Sequence, residues 1–302
     1  MSLEKLRQAV NGGEGKPLLC IEVNPPRGVD VEEVFQRLEG KLKGIDLFNV
    51  TDSALARMKF AALPFASLLK AHFEIEPLVN LSCRDRNLIA IQGDLLAAWA
   101  TGIRSIVALT GDAVTIGDSP DRKGVFEVNS IGLLNTIYKL NSGSDVSGNA
   151  LKSAPAFYPG VVVNPNARNQ AAELKRLARK KDAGALYALS QPVFDEALSL
   201  SFFEKAKEMG IPILMGLLPF KSSRAALSVA DLVPGIKISE RIIEVLKDKG
   251  EEQDLSDFFI EQCLSLAKLN RKHVSGFHII SGVTPKLALR LARHLVEFIE
   301  RI

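Results

Sequence analysis

The residue best placed to do chemistry in this sequence is a glutamate in an expensive position. Glu22 sits inside the apolar run LLCIEV (18–23), and a carboxylate taken out of water without a partner costs several kcal/mol or gives up its charge. Two readings are open: a buried carboxylate paired with Arg84 or Arg27, or a carboxyl group of raised pKa that stays protonated and works as a general acid. Asp112 follows Thr110-Gly111 at the end of another apolar run. It either caps a turn or helix, or accepts hydrogen bonds from a ring amine or a ribose. Gln191, before Pro192, ends a third run. It either closes a strand-ending turn, or offers the donor and acceptor of its amide to the edge of a pterin or flavin.

The remaining clusters divide in the same way. CRDRN (83–87) reads as a helix cap with a surface ion pair or as part of a polar site, and KRLARKK (175–181) as a solvated helix face or a phosphate contact. Cys20, Cys83 and Cys263 form no Cys-x-x-Cys pair, and His72, His273, His278 and His294 show no ligand spacing. Zinc ribbons and dithiol redox motifs are therefore excluded, and no metal is expected. GGEGKP (12–17) lacks the first glycine and the final Ser/Thr of a phosphate-binding loop.

Short β-branched runs alternate with stretches of helical length. The strand candidates are 18–24, 46–51, 75–82, 105–111, 157–164, 185–191, 211–217 and 276–282; continuous apolar runs suit strands buried on both faces of a parallel sheet. Helices are predicted over 31–43, 54–72, 87–101, 128–140, 168–182, 196–209, 222–230 with 240–248, and 284–300, with one more at roughly 255–271. Asp30 and Asp85-Arg86-Asn87 are placed to start helices, and Pro25-Pro26 forces an extended exit from the first strand. The pattern predicts an α/β fold, a (βα)8 TIM barrel with an extra helix between strands seven and eight. A doubly wound sheet is disfavoured because no G-x-G-x-x-G follows the first strand.

In such a barrel chemistry collects at the C-terminal ends of the strands. Those ends carry Glu22 and Asn24, Thr51-Asp52-Ser53, Ser82-Cys83-Arg84-Asp85, Thr110-Gly111-Asp112, Asn164, Gln191 and Ser281-Gly282. The set suggests hydrogen-bonded recognition of a polar heterocycle plus one acid–base carboxyl group, rather than metal-assisted hydrolysis.

Composition sets the outer limits. With 47% hydrophobic and 24% charged residues, the 302-residue chain has ample material for a core, which excludes a disordered or disulfide-stapled chain. One domain over 1–302 is expected, since barrels of this kind reach that size. A net charge of +3 without long runs of like charge argues against nucleic acid as a partner. No apolar run of 18 residues and no signal-like start are seen, so no membrane partner and a cytoplasmic location are expected.

At these residues the sequence resembles the methylenetetrahydrofolate reductase family. IEVNPPRG (21–28), NVTDS (49–53), LSCRDRN (81–87), ALTGD (108–112), VNPNA (163–167), LSQPVFD (189–195) and PILMGLLP (212–219) resemble family segments in family order across nearly the whole chain. CRDRN and ALTGD look most like the branch that includes reductases fused to homocysteine methyltransferases. The resemblance implies a flavin-containing barrel, with FAD or alternatively FMN, that reduces 5,10-methylenetetrahydrofolate to 5-methyltetrahydrofolate by hydride transfer from flavin N5. It implies Glu22 as general acid, Asp112 as the carboxylate near flavin and pterin, and Gln191 as a folate contact. Thr51, Asn80, Thr110, Gly111, Tyr158, Asn164, Ala167, Glu173, Arg179 and Lys180 match flavin-contact positions. Asn80 and Asn164 stand where many members carry histidine, and HIISGVTP (278–285) lacks the arginine that meets the folate tail. The implied partners are folate and NAD(P)H or another electron-donor protein. A homo-oligomer and a partner subunit of a reductase complex are both open. Two rival functions stand beside this one: a flavin-free pterin oxidoreductase using a nicotinamide or deazaflavin directly, and a partner-dependent subunit.

Overall fold

The computed structural model describes residues 2–10, 15–233, 235–247, 249–251, 253–282 and 284–301, so positions 12–14 of GGEGKP lie outside the described residues. Eight parallel strands close in sequence order: β1 (Leu18–Val23), β2 (Leu47–Val50), β3 (Glu76–Ser82), β4 (Ser105–Leu109), β5 (Tyr158–Val163), β6 (Tyr187–Pro192), β7 (Ile213–Leu217) and β8 (Gly276–Ile279). The TIM barrel inferred from the alternation is thus present. Its helices are α1 (Ser2–Val10), α2 (Glu32–Leu38), α3 (Ala62–Phe73), α4 (Leu88–Ala100), α5 (Ser130–Asn141), α6 (Gln170–Asp182), α7 (Glu196–Glu208), α8 (Ser223–Leu232), α9 (Glu240–Lys247), α10 (Ser256–Asn270) and α11 (Pro285–Glu300).

Parity along each strand decides what faces the barrel axis. Ile21, Val23, Phe48, Val50, Val79, Leu81, Ile106 and Phe277 join the core under the helices. Their alternates Leu18, Cys20, Leu47, Leu78, Val107, Tyr187, Leu189 and Leu214 pack together inside the barrel. Gly160 is what admits the Tyr187 ring, since a Cβ there would stand 2.2 Å from Cζ. The Tyr187 hydroxyl is 2.7 Å from Ser105 Oγ. Carried one step further up the strands, the inward parity falls on Glu22, Asn49, Asn80 and Gln191. The fold therefore turns from apolar to polar at the mouth where the strands end.

Several elements differ from what the sequence pattern predicts. The helix α1 has no counterpart among the predicted elements; its Leu6 is fully buried and joins the interior cluster beside Leu18 and Leu47. The helix expected over 31–43 stops at Leu38, and Gly40 adopts φ +69° in the turn that follows. The one expected over 54–72 is a short 3-10 turn at Ala54–Ala56 and then α3. Asp30 Oδ1 accepts from the Glu32 N–H (3.1 Å) and Asn87 Oδ1 from the Ala90 N–H (2.9 Å), as helix-starting residues should. No helix among the described residues is long and apolar enough to cross a membrane.

Candidate active site

Glu22 lies one residue before the end of β1, partly open to the mouth of the barrel. Neither ion pair considered for it forms: Arg84 is paired with Asp85 (2.7 Å) and Arg27 with Asp118 (3.4 Å). Its Oε1 instead accepts from four donors: Asn24 Nδ2 (3.1 Å), the Ser281 N–H (3.2 Å), Ser281 Oγ (3.0 Å) and the Gly282 N–H (3.1 Å). Oε2 has no protein partner among the described residues. Loss of hydration raises the pKa of the carboxyl group, and the donors from Ser281, Gly282 and Asn24 only partly oppose this. An oxygen ringed by donors has no free lone pair for a proton, so the proton belongs on Oε2. When protonated, the group is an oriented carboxylic acid whose proton sits on the oxygen that has no partner among the described residues, the arrangement a general acid needs.

Around it the strand ends supply amides and hydroxyls. Thr51 Oγ1 donates to Asn24 Oδ1 (2.7 Å), which links the second strand end to the Glu22 group. Asn49, buried and inward on β2, donates to the Leu78 carbonyl (3.1 Å) and to Asn80 Oδ1 (2.9 Å). Asn80 Nδ2 and the Gln191 side-chain amide have no partner among the described residues, leaving donors and an acceptor at the mouth. His278 on β8 pairs in register with Cys20 and Gly216. Both its ring nitrogens are buried without a partner, and burial pushes its pKa down to about 4.

The strand ends of β2, β3 and β4 are tied by charge. Asp52 accepts from the Ser82 N–H (2.9 Å) and from Arg86 Nη1 (2.7 Å), whose Nε also binds Asp94 (2.9 Å). CRDRN therefore starts a helix, one of its two readings; Arg84 is buried and Arg86 half-buried, and each pairs with a partly exposed aspartate. Asp112 Oδ2 accepts from the Leu55 N–H (2.7 Å) across the gap to the turn after β2. That turn is strained: Ser53, Leu55 and Ala56 have φ of 46°, 57° and 53°, each costing about 1–2 kcal/mol for an L-residue. Gly111 takes φ +98°, and a Cβ there would lie 2.2 Å from Ser82 Oγ. Thr110 Oγ1 accepts from the Ser130 N–H (3.1 Å) at the start of α5.

The fifth strand end behaves differently. Asn164 donates its N–H to Glu173 Oε1 (3.0 Å), its Oδ1 accepts from the Asn166 N–H (3.0 Å), and its carbonyl accepts from the Ala167 N–H (3.2 Å). Lys180 is buried and donates Nζ to the Val162 carbonyl (2.6 Å); burial lowers its pKa. Glu173 and Lys180 are thus spent on the protein's own backbone, whereas Arg179 is exposed.

Tyr158 stands apart from the other predicted residues. It is the first residue of β5, at the opposite mouth, where Arg7 of α1 lies 5.0 Å from its ring centroid. The structure does not bring it to the strand ends where Glu22, Thr51, Asn80, Gly111, Asp112, Asn164 and Gln191 gather. Asn49, absent from the sequence-predicted set, is tied to this mouth through its bond to Asn80, and inward parity along β2 is the signal that finds it. Asn24, Ser281 and Gly282 stand at predicted strand ends, but their convergence on Glu22 has no local signal.

A (βα)8 barrel whose strand ends carry a carboxyl group and amides unpaired among the described residues has the layout of the barrel enzymes, whose sites are built at that face. Comparison with known proteins narrows this. The family described as Methylenetetrahydrofolate reductase matches residues 5–293, and the chain belongs to that family. The 5,10-methylenetetrahydrofolate reductase of Salmonella typhimurium is 28% identical over 283 residues, covering 91% of this chain and 89% of its own. Methylenetetrahydrofolate reductase (NADH) 1 of Arabidopsis thaliana is 25% identical over 292 residues, 93% of this chain but 49% of the plant protein. A Clostridium thermocellum protein described as binding two copies of 5-methyl-5,6,7,8-tetrahydrofolic acid superposes with a TM-score of 0.70 at 14% identity. It covers 97% of this chain and 99% of its own, a likeness of fold.

Proposed function

We propose that this protein reduces 5,10-methylenetetrahydrofolate to 5-methyltetrahydrofolate with a bound flavin, FAD in the first instance, and that Glu22 is the general acid. The observation that carries the reading is the Glu22 carboxyl group, raised in pKa by burial and fixed through Oε1, with no partner for Oε2 among the described residues. The substrate's bridging carbon accepts hydride poorly until one C–N bond opens. A proton delivered to that nitrogen turns it into a leaving group and exposes the iminium. Glu22 Oε2 holds that proton, and Asn24, Ser281 and Gly282 keep the acid from turning away. The unpaired amides of Asn80 and Gln191 fit the alternating donors and acceptors along a pterin or flavin edge. Thr51, Asn80, Thr110, Gly111, Asp112, Asn164 and Ala167 would hold the flavin, and Gln191 the folate ring. Arg179, exposed on α6, would meet a phosphate. The bound flavin would supply the hydride; reduced nicotinamide or an electron-donor protein would replenish it.

The test is a visible spectrum after incubation with FAD or FMN, followed by anaerobic reduction and addition of methylenetetrahydrofolate. Flavin bands that bleach on reduction and return with the folate support the reading. Flavin that binds but is not reoxidised by the folate contradicts it. A protein that takes up no flavin yet reduces the pterin directly from a nicotinamide contradicts the flavin step alone.

A further inference from the structure

Three strand-end loops meet at Arg84, which the chemistry above does not use. Its side chain is only 3% exposed. Nε and Nη2 grip both oxygens of Asp85 at 2.8 and 2.7 Å, and Nη2 also donates to the Ser53 carbonyl at 3.1 Å. Its own carbonyl accepts from the Val125 N–H at 2.7 Å, in the loop beyond β4. Gly111 packs so closely that a Cβ there would lie 2.9 Å from Arg84 Cβ. Burial opposes the guanidinium's charge, but the hydrogen bonds to Asp85 and the charges of Asp85, Asp112 and Asp52 outweigh it and raise its pKa.

We propose that Arg84 is a positioning residue for Asp112: by pinning the Ser53 carbonyl it holds the left-handed turn that presents the Leu55 N–H to Asp112 Oδ2, and so fixes that carboxylate's direction toward a bound ring. The proposal rests on the reading of Asp112 as a ligand-facing carboxylate. Ser53, Leu55 and Ala56 do not adopt positive φ by preference. Released from its pin, the turn relaxes, the Leu55 N–H leaves Asp112, and the carboxylate is free to rotate. An arginine suits the task because its planar fork satisfies Asp85 with two bonds and still reaches a carbonyl; a lysine supplies one point charge. Asp85, 48% exposed, serves to orient the fork.

The test is a double-mutant cycle with two readouts. In the protein without added ligand, Arg84→Gln is expected to speed amide exchange at Leu55 by about tenfold or more, because the turn opens locally. In the flavin-loaded enzyme the same substitution is expected to lower kcat by about 10- to 100-fold, the scale set by a misdirected group, with KM for the folate changed less. In an Asp112→Asn background it is expected to cost less than about threefold further, since the group it directs is already altered. Arg84→Lys keeps the buried charge without the fork and serves where the glutamine fails to fold; both results are expected of it too. Unchanged exchange at Leu55 overturns the proposal. So does an equal loss of kcat with and without Asp112, which would mark a staple acting on the fold alone. A wild-type enzyme inactive on the folate sinks the reading of the site, while the exchange experiment still decides the pin.

Discussion

Glu22→Gln tests whether the half-buried acid at the barrel mouth has its pKa raised by its surroundings. A glutamine Oε1 inherits the four donors from Asn24, Ser281 and Gly282, and its amide nitrogen takes the place of the free Oε2, so the fold should survive. The carboxyl group's folded pKa stands above its ordinary value of 4.5. The folded state therefore binds the proton more tightly than the unfolded chain. The stability this gives is complete below the ordinary value and is lost as pH rises through the folded one, at up to about 1.4 kcal/mol per pH unit. Glutamine has no such dependence. The variant should therefore gain on the wild type as pH rises above 4.5 and then run parallel to it once the wild-type acid is ionised. Urea unfolding at a series of pH values reads this directly, and turnover should fall by about 100-fold or more from lost acid catalysis. A stability difference that does not change with pH, or wild-type turnover in the variant, would refute the reasoning.

Three further outcomes follow from the geometry. His278 is held neutral with a pKa of about 4, so the unfolded chain takes up its proton first. Stability should fall between about pH 6.5 and 4 by up to roughly 3 kcal/mol, and His278→Gln should flatten that part of the profile in thermal unfolding. Gly111→Ala must place a Cβ 2.2 Å from Ser82 Oγ at φ +98°, and a loss of about 2–4 kcal/mol is expected in denaturant unfolding; a neutral result would contradict the close approach. Tyr158→Phe should leave flavin affinity and turnover within about twofold, because the residue faces the far mouth; loss of flavin binding would contradict its placement.

Much of the barrel and part of the site are legible in the amino-acid sequence. Apolar runs and helical stretches in strict alternation are demanded by a parallel sheet buried on both faces, so the eight strands can be read directly. The same logic makes Glu22 conspicuous, since nothing apolar explains a carboxylate between Ile21 and Val23. What escapes is non-local or finer than local pattern. The donors to Glu22 Oε1 from Ser281 and Gly282 come from 259 and 260 residues away, and only barrel closure brings β8 beside β1. The left-handed turn at Ser53–Ala56 carries no glycine to announce it, because tertiary contacts from Arg84 and Asp112 hold it. Tyr158 is the opposite case. The family resemblance groups it with the flavin contacts, but position along the strand decides which mouth a residue serves. The basic cluster on α6 also divides: Lys180 turns inward to a carbonyl, and Arg179 stays in solvent.

This barrel converts methylenetetrahydrofolate to methyltetrahydrofolate. A single anaerobic turnover of the flavin-loaded, prereduced protein with methylenetetrahydrofolate, quenched and analysed by mass spectrometry, tests it most directly. One equivalent of 5-methyltetrahydrofolate per reduced flavin is the predicted result. Reduced flavin that persists beside unchanged folate would contradict the account.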